Sequence, residues 1–283
     1  MQRIAFYIGI FMFAFVGQAQ ATGFTAVVSD SSPYQGDTLL VSFKGSAIPK
    51  SGTFLDKPLT FFSYRDSKTV VIPIPALQKA GSYTLSVLFD TKEAFSRKIV
   101  IRARKFDKVV LGIPEDLGLT TGGLLTKLGE QKVSIDSVVK NETPKVYFDR
   151  AFGLPLYDNS KITSTFGEIR QTGSSVLHHW GIDLKGREGA SVGVMSGGVV
   201  VSTYFDTVYG NTIIVDHGEG IYSLYMHLKK INVKSNDIVE RGDVIGLLGH
   251  TGYATGPHLH LSVKVNSVPV DPIRLVQAFK KKV

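Results

Sequence analysis

The 283-residue chain contains no cysteine, and its first 177 positions contain no histidine. Without cysteine, neither disulfides nor thiolate ligands can support the fold, so a metal site would have to use histidine and carboxylate side chains. The seven histidines are His178, His179, His217, His227, His250, His258 and His260. Because imidazole is a common zinc ligand and titrates near neutral pH, their clustering places the candidate chemistry in the C-terminal half.

The chain also lacks an apolar run long enough to cross a bilayer. The N-terminal run, residues 4–16, follows Arg3 and precedes the small-residue site Ala19-Gln20-Ala21. About 13 apolar residues are too few for the roughly 20 that a spanning helix needs, but they suit a secretory signal peptide. We therefore predict a signal peptide at 1–21, cleaved after Ala21, and an exported protein of the periplasm or cell envelope with no stable membrane span.

The net charge is +8, with 43% hydrophobic and 20% charged residues. This composition is typical of a globular chain with a sizeable core and excludes a disordered or fibrous protein. An exported basic protein favours an anionic wall or membrane surface as partner over nucleic acid, although the charge could also serve solubility alone.

Strand patterns dominate two regions and predict an all-β fold. In "SYTLSVLF", Tyr83, Leu85 and Val87 alternate with polar residues, and similar short segments predict an immunoglobulin-like β-sandwich over 22–104. Residues 105–150 change in character and predict a connector that is partly helical. Residues 151–283 return to strands with glycine-rich turns and predict a second antiparallel β domain.

Two strands display histidines on one face. In "HLHLSVKV", His258 and His260 alternate with an apolar row, so both imidazoles should lie on the same face, roughly 7 Å apart. In "YSLYMHL", alternation places His227 on the face opposite Leu224 and Met226. We expect His227 to point away from the packed row of its strand.

A third segment adds a carboxylate. As a strand, "HHWGIDLKG" places His179, Gly181 and Asp183 on one face, with space for an ion above the glycine. Two histidines and one carboxylate form a ligand set of catalytic zinc sites, which keep a fourth position for water. Spacing alone leaves open whether His258 or His260 would be the second histidine ligand.

Four ordered motifs resemble the lysostaphin/LytM-type zinc metalloendopeptidases, a family of peptidoglycan hydrolases. The motifs are "TSTFGEIR" (163–170), "HHWGIDLKG" (178–186), "GGVVVSTYFDTVYGNTIIVDHGEGIYSLYMHL" (197–228) and "RGDVIGLLGHTGYATGPHLHLSV" (241–263). They cover most of the second domain and none of the first. The resemblance implies a LytM-type zinc peptidase domain over 151–283.

Carried over by position, the resemblance implies one Zn²⁺ per chain bound by His179, Asp183 and His260. It implies that His227 and His258 are catalytic histidines that do not bind the metal. The remaining histidines match no catalytic position and are expected in turns or on the surface. The implied reaction is attack by a zinc-activated water on peptide stems and cross-links of peptidoglycan, with D-Ala-diaminopimelate bonds as the expected target of a D,D-endopeptidase.

Two further hypotheses belong beside this one. A catalytically inert protein of the same fold would bind peptidoglycan or activate a wall amidase, although such relatives usually lack one or more of the five residues. Separately, the first domain or the 105–150 connector could cover the active-site groove and autoinhibit the enzyme.

Overall fold

The computed structural model of the protein describes residues 23–110, 121–140, 143–149, 151–156, 161–172 and 175–280. The predicted signal peptide at 1–21 lies outside these ranges. Within them, no helix combines the length and the apolar character that crossing a bilayer requires.

Two four-stranded sheets form the N-terminal part of the chain. Their strands in chain order are β1 (Phe24–Val28), β2 (Thr38–Gly45), β3 (Pro49–Phe54), β4 (Lys57–Pro58), β5 (Phe62–Tyr64), β6 (Ser67–Pro73), β7 (Gly81–Phe89) and β8 (Ala94–Ile101). One sheet has the order β1-β2-β6-β5 and the other β4-β3-β7-β8. All neighbouring strands in both sheets are antiparallel.

The two sheets face each other across one hydrophobic core. Leu39, Val41 and Phe43 alternate along β2 and are buried in the same cluster as Leu85 and Val87 of β7. This period-two burial is the pattern that the sequence displays, and facing apolar rows are what hold a sandwich together. The predicted N-terminal β-sandwich is confirmed.

The C-terminal part is built on a larger, mainly antiparallel sheet. Its elements, with those of the segment before it, are β9 (Lys108–Val110), α1 (Thr121–Val138), β10 (Lys161–Ser164), β11 (Ile169–Thr172), β12 (Ser175–His178), β13 (Ile182–Lys185), β14 (Ser191–Gly193), β15 (Gly198–Asp206), β16 (Gly210–Gly218), β17 (Ile221–Ile231), β18 (Ile238–Val239), β19 (Val244–Leu248), β20 (His258–Val265), β21 (Val268–Val270) and α2 (Pro272–Lys280). The main path is β10-β13-β20-β17-β16-β15-β18. The all-β fold class is therefore confirmed, and the described residues add two helices to the sheets.

A small separate sheet, β12-β11-β9, ties the end of the sandwich segment to the C-terminal part. Strand β9 pairs in parallel with β11, and β11 forms an antiparallel hairpin with β12. The chain that leaves the sandwich therefore becomes part of the C-terminal structure before α1 begins.

The two parts share a hydrophobic core. The outer face of the first sandwich sheet presents Phe62 and Tyr64 to Phe148, with Tyr64 and Phe148 ring centroids 5.3 Å apart. Phe279 of α2 lies 5.9 Å from Tyr64 and 5.5 Å from Phe148. An ion pair between Arg104 and Asp271, 2.7 Å long, adds a polar contact beside this aromatic cluster. These contacts give the sandwich a fixed position on the second domain.

Helix α1 packs on one face of the large sheet. Ile135 and Val139 at its C-terminal end form a buried cluster with Tyr222, Leu224 and Met226 of β17. An ion pair joins Asp136 of α1, whose side chain is 35% exposed, to Lys264 of β20, whose side chain is 10% exposed. The helix therefore covers part of the sheet face on which the candidate site lies.

Candidate metal centre

Three adjacent strands align the central side chains of the site. In the antiparallel register, His260 of β20 lies directly opposite Asp183 of β13 on one side and Met226 of β17 on the other. Residues opposite each other in a sheet project to the same face. Leu259 and Leu261 project to the other face and are fully buried in the main core, as the alternation in "HLHLSVKV" predicted.

His179 reaches the site from a turn. The segment expected to be one strand is interrupted, because β12 ends at His178 and β13 begins at Ile182. The prediction that His179 and Asp183 lie on one face of a continuous strand is therefore wrong, although their side chains do contact each other. Gly181 permits this approach, since a Cβ there would lie 2.7 Å from Nε2 of His260.

Three potential ligand atoms converge within this corner of the sheet. Nε2 of His179 lies 3.0 Å from Oδ1 of Asp183 and 2.8 Å from Nδ1 of His260. Nδ1 of His260 lies 2.9 Å from the same Asp183 oxygen. All three side chains are buried, with 4–8% of each residue exposed. They therefore form one compact His, Asp, His cluster.

The protonation of the cluster suits a cation. Nδ1 of His179 lies 3.1 Å from the carbonyl oxygen of Thr165. A carbonyl can only accept, so this nitrogen carries the hydrogen and Nε2 presents a lone pair to the cluster. Burial lowers the pKa of His260 to about 4, although the contact with Asp183 opposes the shift, and His260 is therefore neutral at neutral pH.

Asp183 supplies the negative charge. Burial alone would raise its pKa, but the contacts with the imidazoles of His179 and His260 outweigh burial and hold the pKa far below its usual range. Two neutral imidazoles and one carboxylate are a donor set of catalytic zinc sites. Tetrahedral zinc with bonds of about 2.0–2.1 Å has ligand atoms roughly 3.4 Å apart, so the cluster would fit zinc after each pair widens by a few tenths of an ångström.

Two further imidazoles border the cluster. Nε2 of His258 lies 3.8 Å from Oδ1 of Asp183, and the ring centroids of His227 and His258 are 4.8 Å apart. Nδ1 of His227 bonds to the carbonyl oxygen of Thr251 and Nδ1 of His258 to that of Gly256, each at 2.8 Å. Both histidines therefore carry their hydrogen on Nδ1 and keep a lone pair on Nε2. Burial and the neighbouring histidines lower the pKa of His227 to about 3.

His227 enters the site through a break in strand alternation. Leu224 and Met226 lie on the same face as His260, whereas Tyr225 is fully buried in the main core. The expectation that His227 lies on the face opposite Leu224 and Met226 is therefore wrong, because its ring lies beside those of His258 and His260. His227 has a φ of +62°, and the pairing of β16 with β17 shifts register between Asn211 and Ile213. This kink moves the imidazole to the histidine face.

The other histidines occupy different environments. His178 is half-buried, and its ring stacks on Trp180 at 4.9 Å. His250 is more than half exposed and lies 3.5 Å from Glu188. His217 is fully buried in β16, where it bonds to the carbonyl of Gly197 and to Ser223. The expectation of a turn or surface position is wrong for His217, because its strand runs through the core.

Polar residues of the "TSTFGEIR" motif contact Asp183 directly or through Arg170, a role that the sequence pattern did not predict. Nη2 of Arg170 lies 2.7 Å from Oδ2 of Asp183, and Glu168 and Ser164 bind the same guanidinium. The sequence did contain one indication of this role, because Glu168 and Arg170 are oppositely charged and lie two residues apart. Tyr209 also lies near the cluster, with its ring centroid 6.4 Å from that of His260.

Residues 177–272, which contain the His, Asp, His cluster, match the model of peptidase family M23. The resemblance to lysostaphin/LytM-type enzymes that the four motifs indicated is thereby confirmed.

Two curated relatives resemble the C-terminal domain. The DD-carboxypeptidase/endopeptidase Mpg of Neisseria meningitidis is 35% identical over 118 residues, which are 40% of this chain and 26% of that protein. The peptidoglycan DD-endopeptidase ShyA of Vibrio cholerae is 36% identical over 122 residues, 42% of this chain and 28% of that protein. The chain thus spans between a quarter and a third of the length of these relatives.

A solved structure resembles nearly the whole chain. A Pseudomonas aeruginosa protein assigned to peptidase M23 superposes with a TM-score of 0.62 and 26% identity, over 87% of this chain and 96% of that one. The similarity therefore extends beyond residues 177–272 to the N-terminal part.

Proposed function

We propose that this protein is a zinc-dependent endopeptidase that hydrolyses peptide cross-links of bacterial peptidoglycan. The observation that carries the proposal is the convergence of His179, Asp183 and His260 beside two imidazoles, His227 and His258, whose Nε2 atoms bear lone pairs. Three protein ligands leave a fourth position for water, as a catalytic zinc site requires. One Zn²⁺ per chain would be bound.

His179, Asp183 and His260 would hold the zinc, which would supply a Lewis acid for the scissile carbonyl and would lower the pKa of a nearby water to about 7. His258 and His227 supply the proton transfers. Each carries its hydrogen on Nδ1, bonded to a carbonyl, and can accept a proton from the attacking water at Nε2. Once protonated, either imidazole can stabilise the developing oxyanion or deliver the proton to the leaving amine.

Two loops tied together beside His227 shape the approach to the site. The backbone amide of Tyr253 bonds to the carbonyl of Val208, and that of His227 bonds to the carbonyl of Tyr209. Gly210 has a φ of +64°, and a Cβ there would lie 2.4 Å from the carbonyl oxygen of Thr251. The glycine allows the loops to close on each other beside His227.

The substrate class is supported by the relatives and by charge. Mpg and ShyA carry names that specify DD-carboxypeptidase/endopeptidase and peptidoglycan DD-endopeptidase activity, which favours the D-Ala-diaminopimelate cross-link as the bond cleaved. The net charge of +8 suits an anionic wall surface. Action on peptidoglycan requires export, for which the N-terminal segment 1–21 would be the signal peptide, with release into the periplasm or envelope.

The test measures zinc per chain and soluble muropeptides released from isolated sacculi, for wild type and His260→Ala. We expect about one zinc and cross-link fragments in wild type, and loss of both in the variant. His250→Ala is the matched control, since this histidine is exposed and outside the cluster. A wild type that binds zinc and leaves both sacculi and a purified cross-linked dimer intact would support the inert binder or amidase activator instead.

We also propose that α1 restrains the enzyme. The helix lies on the sheet face that bears His260 and is joined to the same strand through the ion pair of Asp136 with Lys264. Lys127 adds a hydrogen bond to Thr207, near the loop that contains Tyr209. These contacts support the proposal, because a shift of α1 would change access to the sheet face that bears His260.

Asp136→Asn tests this restraint in the full-length mature chain. Removing the N-terminal part would instead expose the hydrophobic core that the two parts share. We expect faster release of muropeptides by Asp136→Asn, since the variant weakens the attachment of α1 to β20. Glu130→Gln is the control, because Glu130 is an exposed acid on the same helix. An unchanged or lower rate for Asp136→Asn at equal zinc content would contradict the restraint.

A further inference from the structure

Asp183 divides its two carboxylate oxygens between different partners. Oδ1 faces His179 at 3.0 Å and His260 at 2.9 Å, in the centre of the cluster. Oδ2 accepts a hydrogen bond of 2.7 Å from Nη2 of Arg170. The guanidinium therefore occupies the oxygen that points away from the imidazoles.

Arg170 is itself held by two buried groups. Its Nε donates to Oε1 of Glu168 at 3.0 Å, and Nη2 also donates to Oγ of Ser164 at 2.8 Å. Glu168 and Ser164 are each only 8% exposed and are joined by a short hydrogen bond. A planar guanidinium bonded along two of its edges has little freedom to rotate. The network therefore fixes where Oδ2 of Asp183 can lie.

The charges of the network are also balanced. A lone arginine beside a metal ligand would repel a cation, which would weaken the site. Here Glu168 offsets the charge of Arg170, so the cluster keeps the full negative charge of Asp183. The arrangement uses the geometry of arginine without placing an uncompensated positive charge next to the metal site.

We infer that Arg170 is a positioning residue that makes Asp183 a one-oxygen metal ligand, with Glu168 and Ser164 holding the guanidinium in place. The inference rests on the proposed zinc site and specifies how that site keeps an open position. A carboxylate with both oxygens available can bind a metal through both. Occupation of Oδ2 by Arg170 leaves only Oδ1 for the metal, so the coordination number stays low enough to admit water.

The first measurement is the zinc affinity of the purified full-length mature chain by competition with a chelator, using the metal alone. We expect Arg170→Ala to bind zinc about 10–100-fold more weakly than wild type, as is usual when a group that orients a ligand is removed. Arg170→Lys should recover only part of the loss, because an ammonium is a point charge that cannot bridge Glu168 and Asp183 as a fork. Arg187→Ala, at an exposed arginine of the same domain, should match wild type.

The second measurement separates positioning from general destabilisation. In the cobalt-substituted protein, four-coordinate Co²⁺ absorbs visible light more strongly than five- or six-coordinate Co²⁺. We expect strong absorption from wild type and weaker absorption from Arg170→Ala, because Asp183 would then offer both oxygens. Circular dichroism and thermal unfolding establish that each variant is folded.

Wild-type affinity together with a wild-type cobalt spectrum in folded Arg170→Ala would overturn the inference. If Arg170→Ala does not fold, Glu168→Ala carries the test, because it removes the acceptor for Nε of Arg170 and should weaken zinc binding several-fold; unchanged affinity there would also overturn it. Absence of zinc binding or cleavage in wild type would instead contradict the proposed function. The two failures are therefore distinguishable.

Discussion

Nε2 of His179 lies 2.8 Å from Nδ1 of His260, although 81 residues separate the two histidines in the chain. Their approach depends on two features of the backbone between them. Strand β13 pairs with β20 so that Asp183 and His260 are opposite each other, and Gly181 leaves room for the imidazole of His260. The cluster is therefore a product of sheet register, and it holds three electron-pair donors close together.

Metal binding should stabilise the fold, because the three donors gain a common cation that the unfolded chain does not organise. Zinc at 100 times its dissociation constant would add about 2.7 kcal/mol to the free energy of unfolding. Thermal unfolding measured with zinc and with EDTA should show a higher Tm with zinc. Asp183→Asn should abolish most of this difference, whereas His250→Ala should preserve it. Equal Tm values for wild type in zinc and EDTA would contradict a metal site at this cluster.

His227 and His258 should affect turnover without affecting metal content. Neither is a member of the three-residue cluster, and each presents an Nε2 lone pair beside it. Loss of one general acid or base costs about 10²–10⁴-fold in rate. His227→Ala and His258→Ala should therefore lower kcat on a purified cross-linked muropeptide by about that factor and retain about one zinc per chain. Loss of zinc from either variant would assign that histidine to metal binding.

The strand pattern predicted part of this site and missed another part for a specific reason. Alternation in β20 placed His258 and His260 on the face opposite Leu259 and Leu261, and the structure has that arrangement. The same logic failed for His227, because a positive φ reverses the side-chain direction at one residue. Alternation is a property of regular strands, and a kink beside a functional site has no signature in hydrophobic periodicity.

The contact between the two parts was also beyond the sequence pattern. Strand β2 is buried on both faces, with Leu39 in the sandwich core and Leu40 in the core shared with the C-terminal domain. A continuous apolar run such as "TLLVSF" predicts burial on two sides but does not identify the partner of either side. Arg170 was missed for a similar reason, since its role depends on Asp183, which lies on β13 in a different sheet from Arg170 on β11.

The shared core predicts that the two parts unfold together. Phe148 is 2% exposed and contacts Tyr64 of the sandwich and Phe279 of α2. Phe148→Ala should lower the free energy of unfolding by about 3–5 kcal/mol, as expected for a buried phenylalanine. Phe205→Ala is the control, because Phe205 is 62% exposed, and it should change stability by no more than about 0.5 kcal/mol.

The measurement is urea unfolding followed by two signals, the fluorescence of the single tryptophan, Trp180, and far-ultraviolet circular dichroism. Trp180 reports on the C-terminal domain, whereas circular dichroism reports on both parts. Coincident transitions in wild type would support one cooperative unit. Separate transitions, with Phe148→Ala shifting only one of them, would show that the shared core does not couple the two parts.

His217 should make stability depend on pH. Its imidazole is fully buried between Gly197 and Ser223, and burial lowers its pKa to about 4, against 6.5 for an exposed histidine. Between these two pKa values, His217 is therefore protonated in the unfolded chain and neutral in the folded chain. The free energy of unfolding that depends on His217 staying neutral is fully retained above pH 6.5. It is lost progressively as the pH falls towards 4, by about 2 kcal/mol between pH 7 and pH 5.

The pH experiment compares wild type with His217→Gln, using urea unfolding in EDTA at several values between pH 7 and pH 5. His260 and His227 also have lowered pKa values in the metal-free protein, so both proteins should lose stability on acidification. The variant should lose about 2 kcal/mol less than wild type over this range, because glutamine does not titrate. His250→Gln should follow the wild-type profile, since His250 is more than half exposed. Parallel profiles for wild type and His217→Gln would mean that His217 accepts its proton in the folded state, and the buried contact with Ser223 would then have to tolerate an imidazolium.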